Sequence, residues 1–117
     1  MEIKEICPTT TQEWLKDGAV MVDVRENDEV EELAYDVKRL IHIPLSELEE
    51  RFSEIPKDKN IVMACRSGAR SLRASGFLLN KNYKEVVNMK SGILGWAEKG
   101  FPTKGEAPQT STKSCCG

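Results

Sequence analysis

No run in this sequence approaches the roughly 18 consecutive apolar residues of a membrane span. The N-terminus has no apolar stretch suited to a signal peptide, so export is not expected. Neither charge sign is in excess: 17 basic and 19 acidic residues leave a formal net charge of −2. That balance gives no basic footprint for nucleic acid and no polybasic membrane anchor. Histidine is nearly absent, with His42 alone, and there is no internal repeat. Cysteine is scarce and unevenly spread over Cys7, Cys65, Cys115 and Cys116. An even count would allow two disulfides in a secreted protein. The spacing argues otherwise, because Cys115 and Cys116 are adjacent in a polar stretch and Cys65 sits among arginines. A reducing, cytoplasmic setting with reactive thiols is expected.

What is present is one domain's worth of chain, 117 residues, enough to bury a core without staples. Ile3 to Cys7 alternates apolar and charged residues and reads as a short strand. Thr10 and Glu13 have capping-box spacing for a helix that carries Trp14 and Leu15 and stops at Gly18. Ala19 to Val24 is an apolar run with one acid, as in a strand buried on both faces. Glu26 to Leu33 is acidic and compatible with a helix. Leu40 to Pro44 predicts a strand, followed by a helix with Ser46 as its N-cap. Ile61 to Ala64 is a further apolar strand. A helix is predicted from about Arg70 to Asn80, with Leu72, Gly76 and Leu79 on one face and Phe77 and Leu78 widening it. Glu85 to Val87 predicts a strand and Ser91 to Lys99 a helix containing Trp96. From Pro102 onward the composition turns to Pro, Thr, Ser, Lys and Gly without apolar periodicity. The expected organisation is a domain over residues 1–103 and a flexible tail over 104–117 that carries the Cys-Cys pair. Strands alternating with helices imply an α/β fold with a mostly parallel sheet.

Chemistry concentrates at Cys65-Arg66-Ser67-Gly68-Ala69-Arg70-Ser71, a loop between a buried strand and a helix. In open α/β sheets ligands bind outside the carboxyl ends of the strands. A thiol there meets the positive end of the next helix and its unpaired amides. Gly68 lets the loop curl so that several N–H groups converge. Arg66 and Arg70 add two positive charges. All three effects favour thiolate over thiol and predict a lowered pKa for Cys65. The bland alternative, an inert cysteine that ends a strand among surface arginines, explains none of this convergence.

Cys65 to Arg70 resembles the six-residue active-site loop of the rhodanese family. Three further stretches match that family in order. Val22-Asp23-Val24-Arg25-Glu26 resembles its "DVRE" element, and Ile41-His42-Ile43-Pro44-Leu45 its "NIPL" segment. Ser91-Gly92-Ile93-Leu94-Gly95-Trp96, with Gly100-Phe101-Pro102, resembles its "GGxxGW…G(F/Y)P" ending. Together they span about Val20 to Pro102. Two departures stand out: Ala34 to Arg39 replaces the usual Gly-His-Ile-x-Gly-Ala segment, and Ser91 replaces a glycine. The resemblance implies a five-stranded, mostly parallel sheet flanked by helices on both faces. It also implies ping-pong sulfur transfer through a Cys65 persulfide, with Arg66, Ser67, Gly68, Ala69 and Arg70 binding the substrate. Its partners would be a small anionic sulfur donor such as thiosulfate and a cyanide or thiol acceptor, with a protein persulfide as another partner. No cofactor is implied. Cysteine phosphatases use Cys-x5-Arg, whose larger ring holds a tetrahedral oxyanion. The Cys-x4-Arg spacing here suits sulfur better.

Other residues weigh less. His42 lies between isoleucines, and a Cys–His dyad is not needed by this chemistry, so a structural role is expected. Asp23 and Arg25 are expected to hold loops, Trp96 to fill the core, and Cys7 to be inert. Cys115 and Cys116 are candidates for a sulfur relay that takes sulfur from Cys65. Two vicinal thiols without neighbouring ligands do not make a metal site. The alternative to a thiosulfate-type enzyme is a persulfide carrier that serves protein partners.

Overall fold

The computed structural model describes residues 3–83 and 85–105. The expected relay pair, Cys115 and Cys116, therefore lies outside the described residues, as does most of the expected tail. The elements, in chain order, are β1 (Glu5–Ile6), α1 (Pro8–Lys16), β2 (Val20–Asp23), α2 (Asn27–Glu32), β3 (Leu33–Tyr35), β4 (Leu40–His42), α3 (Leu48–Arg51), β5 (Ile61–Ala64), α4 (Ala69–Leu79), β6 (Val86–Met89), α5 (Gly92–Glu98) and β7 (Thr103–Gly105). Single 3-10 turns at Leu45–Glu47 and Phe52–Glu54 flank α3.

Five strands form one sheet in the order β1-β6-β5-β2-β4, with every pair parallel. β2, β5 and β6 are buried along their whole length, as their apolar runs require. One core layer packs Val22, Ile43, Met63, Leu78 and Tyr83 on the face covered by α3 and α4. The other packs Met21, Tyr35, Val62, Met89, Ile93 and Trp96, with Trp14 and Leu15 of α1 against it. The expected parallel sheet with helices on both faces is what the chain forms. β3 and β7 add a separate antiparallel ribbon, pairing Tyr35 with Thr103 and Leu33 with Gly105.

Local details differ from the sequence reading. α1 begins at Pro8 rather than behind a Thr10–Glu13 capping box. Cys7 is its N-cap, with no side-chain cap hydrogen bond. Proline at the first helical position carries the right φ and lacks only an N–H that would be unpaired anyway. Ser46 does not cap a helix: the chain enters a 3-10 turn at Leu45, and the Ser46 hydroxyl donates to Glu26 at 3.2 Å. α4 buries Ser71, Ala74, Ser75 and Leu78, not the face of Leu72, which is exposed. Small residues let this helix lie close on the sheet, and its buried hydroxyls are satisfied locally, Ser75 donating to the Ser71 carbonyl at 2.8 Å. β7 has no counterpart in the apolar pattern, because a three-residue edge strand is held by its backbone ladder.

Candidate active site

Cys65 follows the last residue of β5, the middle strand of the sheet, and α4 starts four residues later. Its side chain is almost wholly buried, at 1 % exposure. The Gly68 amide donates to Cys65 Sγ at 3.0 Å and the Ser71 hydroxyl at 3.3 Å. Gly68 has φ +107°, a left-handed conformation natural to glycine, and it is the N-cap of α4. A Cβ at this position would also press on the backbone N of Ser91 at 3.3 Å.

Burial is the largest single influence on the Cys65 thiol, and it pushes the pKa up. Hydrogen bonds from the Ser71 side chain and from the amides of Ser71, Gly68 and Ser67 act together against it. They hold the pKa below its ordinary value. The lowered pKa expected from the sequence is therefore present, but the leading causes are amides and a hydroxyl rather than Arg66 and Arg70. Arg70 is engaged elsewhere: its guanidinium forks onto Glu29 at 2.7 and 2.8 Å. That fork draws the Glu29 carboxyl down to about 2, against the opposing effect of burial. Arg66, Ser67 and Ala69 are exposed on the loop. Arg66 makes no ion pair among the described residues.

Behind the sulfur lies a buried polar web. The Ser71 hydroxyl, with one hydrogen, faces Cys65 Sγ, the Gly68 carbonyl and a closely placed Asn88 Oδ1. Asn88 Nδ2 donates to the Gly68 carbonyl at 3.1 Å and to Glu5 at 2.8 Å. Asn88 thus ties together the two groups that hold the sulfur. The Cys65 carbonyl is fixed from the other side by the Tyr35 hydroxyl and the Ile93 amide, both at 2.8 Å. The Leu94 amide holds the Arg66 carbonyl at 3.2 Å. Gly92 permits this approach, since a Cβ there would run into the backbone of Cys65 and Arg66.

Asp23 and Arg25 form a buried ion pair at 2.8 Å, and the Arg25 guanidinium lies 5.4 Å over the Tyr35 ring. Tyr35 is the residue between this pair and the Cys65 carbonyl. His42 Nε2 contacts the Arg25 carbonyl at 2.8 Å. Trp96 is fully buried, donates to the Pro102 carbonyl at 2.7 Å, and packs edge-on against Tyr35 and Phe101. Cys7 sits at the head of α1, 3.4 Å from the Thr10 hydroxyl, which lowers its pKa with help from nearby amides. Among the described residues no cluster of three or more His, Cys, Asp or Glu could hold a metal ion. A cavity of about 100 Å³ beside the loop is lined by Arg25, Glu29, Glu32, Leu33, Arg66, Ile93 and Leu94.

Sequence reasoning did not reach Tyr35, Asn88 or Glu29. Asn88 carried a usable signal, a polar residue inside a buried strand. Tyr35 and Glu29 carried none, because their partners are 30 and 41 residues away.

A family model for the rhodanese-like domain matches residues 8–99. The chain belongs to the rhodanese-like family. This rhodanese-like chain is 34% identical over 102 residues to a sulfurtransferase of Allochromatium vinosum, a match that covers 86% of the chain and 94% of that relative. A solved rhodanese-related protein from Thermoplasma volcanium superposes with a TM-score of 0.76 at 31% identity, covering 88% of this rhodanese-like chain and 99% of that one. The solution structure of a polysulfide-sulfur transferase homodimer from Wolinella succinogenes gives a TM-score of 0.80 at 24% identity, over 92% of this chain and 82% of that one, and bears on the fold alone. This rhodanese-like family is one of sulfurtransferases.

Proposed function

We propose that this rhodanese-like domain moves sulfane sulfur from a donor such as thiosulfate to a thiophilic acceptor through a persulfide on Cys65. The Cys65 thiolate attacks the outer sulfur of the donor. The donor's S–S bond breaks and sulfite leaves with the electron pair. The acceptor then attacks the outer sulfur of the persulfide, and the Cys65 thiolate is regenerated. The observation that carries this reading is the set of donors aimed at Cys65 Sγ, the Gly68 amide at 3.0 Å and the Ser71 hydroxyl at 3.3 Å, around a cysteine that is only 1 % exposed. They stabilise the anion both before attack and after sulfur is handed on. Arg66, exposed at the loop, is the residue placed to meet an anionic donor, with Ser67, Gly68 and Ala69 supplying backbone. Intact-protein mass spectrometry after incubation with thiosulfate tests the proposal. One added sulfur, removed by cyanide and absent in Cys65→Ser, is the expected result; no adduct with any sulfane donor would sink it.

One observation favours a second reading, a persulfide carrier loaded by a protein partner. Arg70 is neutralised by Glu29, so the loop offers less charge to a free dianion than the sequence suggests. Saturable thiosulfate turnover supports the enzyme. Poor thiosulfate turnover with rapid uptake from a persulfidated protein supports the carrier.

A further inference from the structure

We propose that Asn88 is a positioning residue for the sulfur step, a second acceptor for the Ser71 hydrogen that favours the loaded, persulfide form of Cys65 over the free thiolate. This deepens the persulfide reading above and rests on it for the loaded state. The Asn88 amide has one orientation open to it. Its Nδ2 donates to the Glu5 carboxylate at 2.8 Å and to the Gly68 carbonyl at 3.1 Å, and both of those groups only accept. The parallel register that sets Glu5 beside Asn88 across β1 and β6 supplies the first of them. Turning the amide over would set oxygen against oxygen at both contacts. Oδ1 is thereby aimed at the Ser71 hydroxyl, its one partner among the described residues. Asn88 is wholly buried, so bulk water does not replace that partner.

Ser71 Oγ carries one hydrogen, and the demand for it changes with the charge on sulfur. While Cys65 is a neutral thiol, its S–H donates to Ser71 Oγ across 3.3 Å and the Ser71 hydrogen goes to Asn88 Oδ1. Each of these groups is then paired. A thiolate only accepts, so sulfur and Oδ1 compete for the same hydrogen. One of them goes short, and a buried acceptor without a donor is costly. The Gly68 carbonyl, 3.2 Å from the hydroxyl, already receives Asn88 Nδ2 and does not decide the contest. In the persulfide the inner sulfur has put its charge into a bond, and the hydrogen returns to Asn88. Asn88 therefore opposes the thiolate and supports the states in which the inner sulfur is uncharged.

The transfer step balances without an oxidant or reductant. As the acceptor attacks the outer sulfur, the bond to Sγ breaks and its electron pair stays on Sγ. The Ser71 hydroxyl turns from Oδ1 to Sγ and keeps its own proton. The charged and titratable groups around the sulfur are Arg66 on the loop, Arg70 of α4 with its partner Glu29, Tyr35 of β3 with the Asp23–Arg25 pair behind it, Lys90 after β6, and Glu5 beyond Asn88. Of these only Glu5 bonds to the Asn88 side chain among the described residues, so a change at residue 88 leaves the other charges in place.

A double-mutant cycle tests this, because removing Asn88 also frees the Gly68 carbonyl. Wild type, Asn88→Ala, Ser71→Ala and the double variant are alkylated with iodoacetamide across pH, and mass spectrometry of the Cys65 peptide gives each midpoint. This arm uses no sulfur donor. Loss of one competing hydrogen bond between neutral groups corresponds to about two- to tenfold in thiolate population, or about 0.3–1 pKa unit. Asn88→Ala should lower the Cys65 midpoint by that much more when Ser71 is present than in the Ser71→Ala background. A coupling of zero or of opposite sign overturns the proposal. Asn88→Leu, which fills the space, should couple with the same sign and replaces the alanine variant if that one does not fold. The second arm equilibrates each protein with a fixed ratio of thiosulfate to sulfite, at a pH above the Cys65 midpoint. The ratio of persulfide to free Cys65 should fall about two- to tenfold in Asn88→Ala and change less when Ser71 is absent. A ratio unmoved by Asn88→Ala overturns the preference for the loaded form. If no protein, wild type included, takes sulfur from any donor, the persulfide reading fails, and the pH arm still decides whether Asn88 and the sulfur share the Ser71 hydrogen.

Discussion

Replacing Ser71 by alanine removes the one side-chain donor to the Cys65 sulfur among the described residues and leaves the loop amides in place. A hydrogen bond to a charged group contributes about 1.5–3 kcal/mol. The single Ser71 hydrogen also faces Asn88 Oδ1 and the Gly68 carbonyl, so the lower end applies. About 1.4 kcal/mol corresponds to one pKa unit, and the Cys65 pKa is expected to rise by about that much. Below both values the thiolate population then falls about tenfold. The thiolate that remains is about threefold more nucleophilic, because reactivity rises with basicity at a slope of about 0.4–0.5. The net expectation is a reaction about three- to fourfold slower at low pH and about threefold faster above both pKa values, so the two pH profiles cross. Exchange of Cys65 with a small neutral disulfide, followed across pH by mass spectrometry of the Cys65 peptide, measures this without relying on any sulfur donor. Ser71→Thr, which keeps the hydroxyl, should follow the wild type. The alanine variant also leaves Asn88 Oδ1 without its partner, at a cost to stability of about 1–3 kcal/mol, which urea denaturation reads separately. Profiles with a common midpoint would refute the claim that Ser71 tunes the sulfur.

Glu29→Gln releases Arg70 from its fork, and KM for thiosulfate should fall several-fold with kcat little changed; steady-state kinetics checks this. In the wild type the depressed Glu29 pKa supports stability that is fully present above the ordinary carboxylate value near 4.3 and is lost as pH falls through about 2. The pair is partly exposed, so acid unfolding of Glu29→Gln and wild type should differ by no more than about 1 kcal/mol. Asp23→Ala strands Arg25 as an unpaired buried charge and should cost about 3–5 kcal/mol in a denaturant titration. Gly92→Ala should drive the head of α5 off the Cys65 carbonyl, destabilise the fold by more than about 1 kcal/mol, and abolish sulfur loading.

The sheet was legible where burial writes itself into composition. Val20–Asp23 and Ile61–Ala64 are apolar runs with no exposed face, and the strand–loop–helix setting of Cys65 followed from them. The active face of α4 was not legible. Ser71 and Ser75 look like surface residues, yet they are buried because their hydroxyls find partners that lie far off in sequence or one turn back. Arg70 was read as a charge for the sulfur because nothing local announces Glu29, 41 residues earlier. Asp23 and Arg25 were read as architectural, and the contact with Tyr35 gives that role a route to the site. β7 escaped because three residues of Thr, Lys and Gly carry no pattern that a ladder needs.

The sheet order also dictates when the surroundings of Cys65 are completed. β6 stands between β1 and β5, so the first strand synthesised has no neighbour until residues 86–89 have been made. Asn88, which steadies Ser71 and Gly68, arrives with that strand, and the amides that clamp Cys65 and Arg66 follow at Ile93 and Leu94. A nascent chain that ends before β6 carries Cys65 without these supports. The surroundings of Cys65 are in this sense a late product of folding, completed by the closing quarter of the domain.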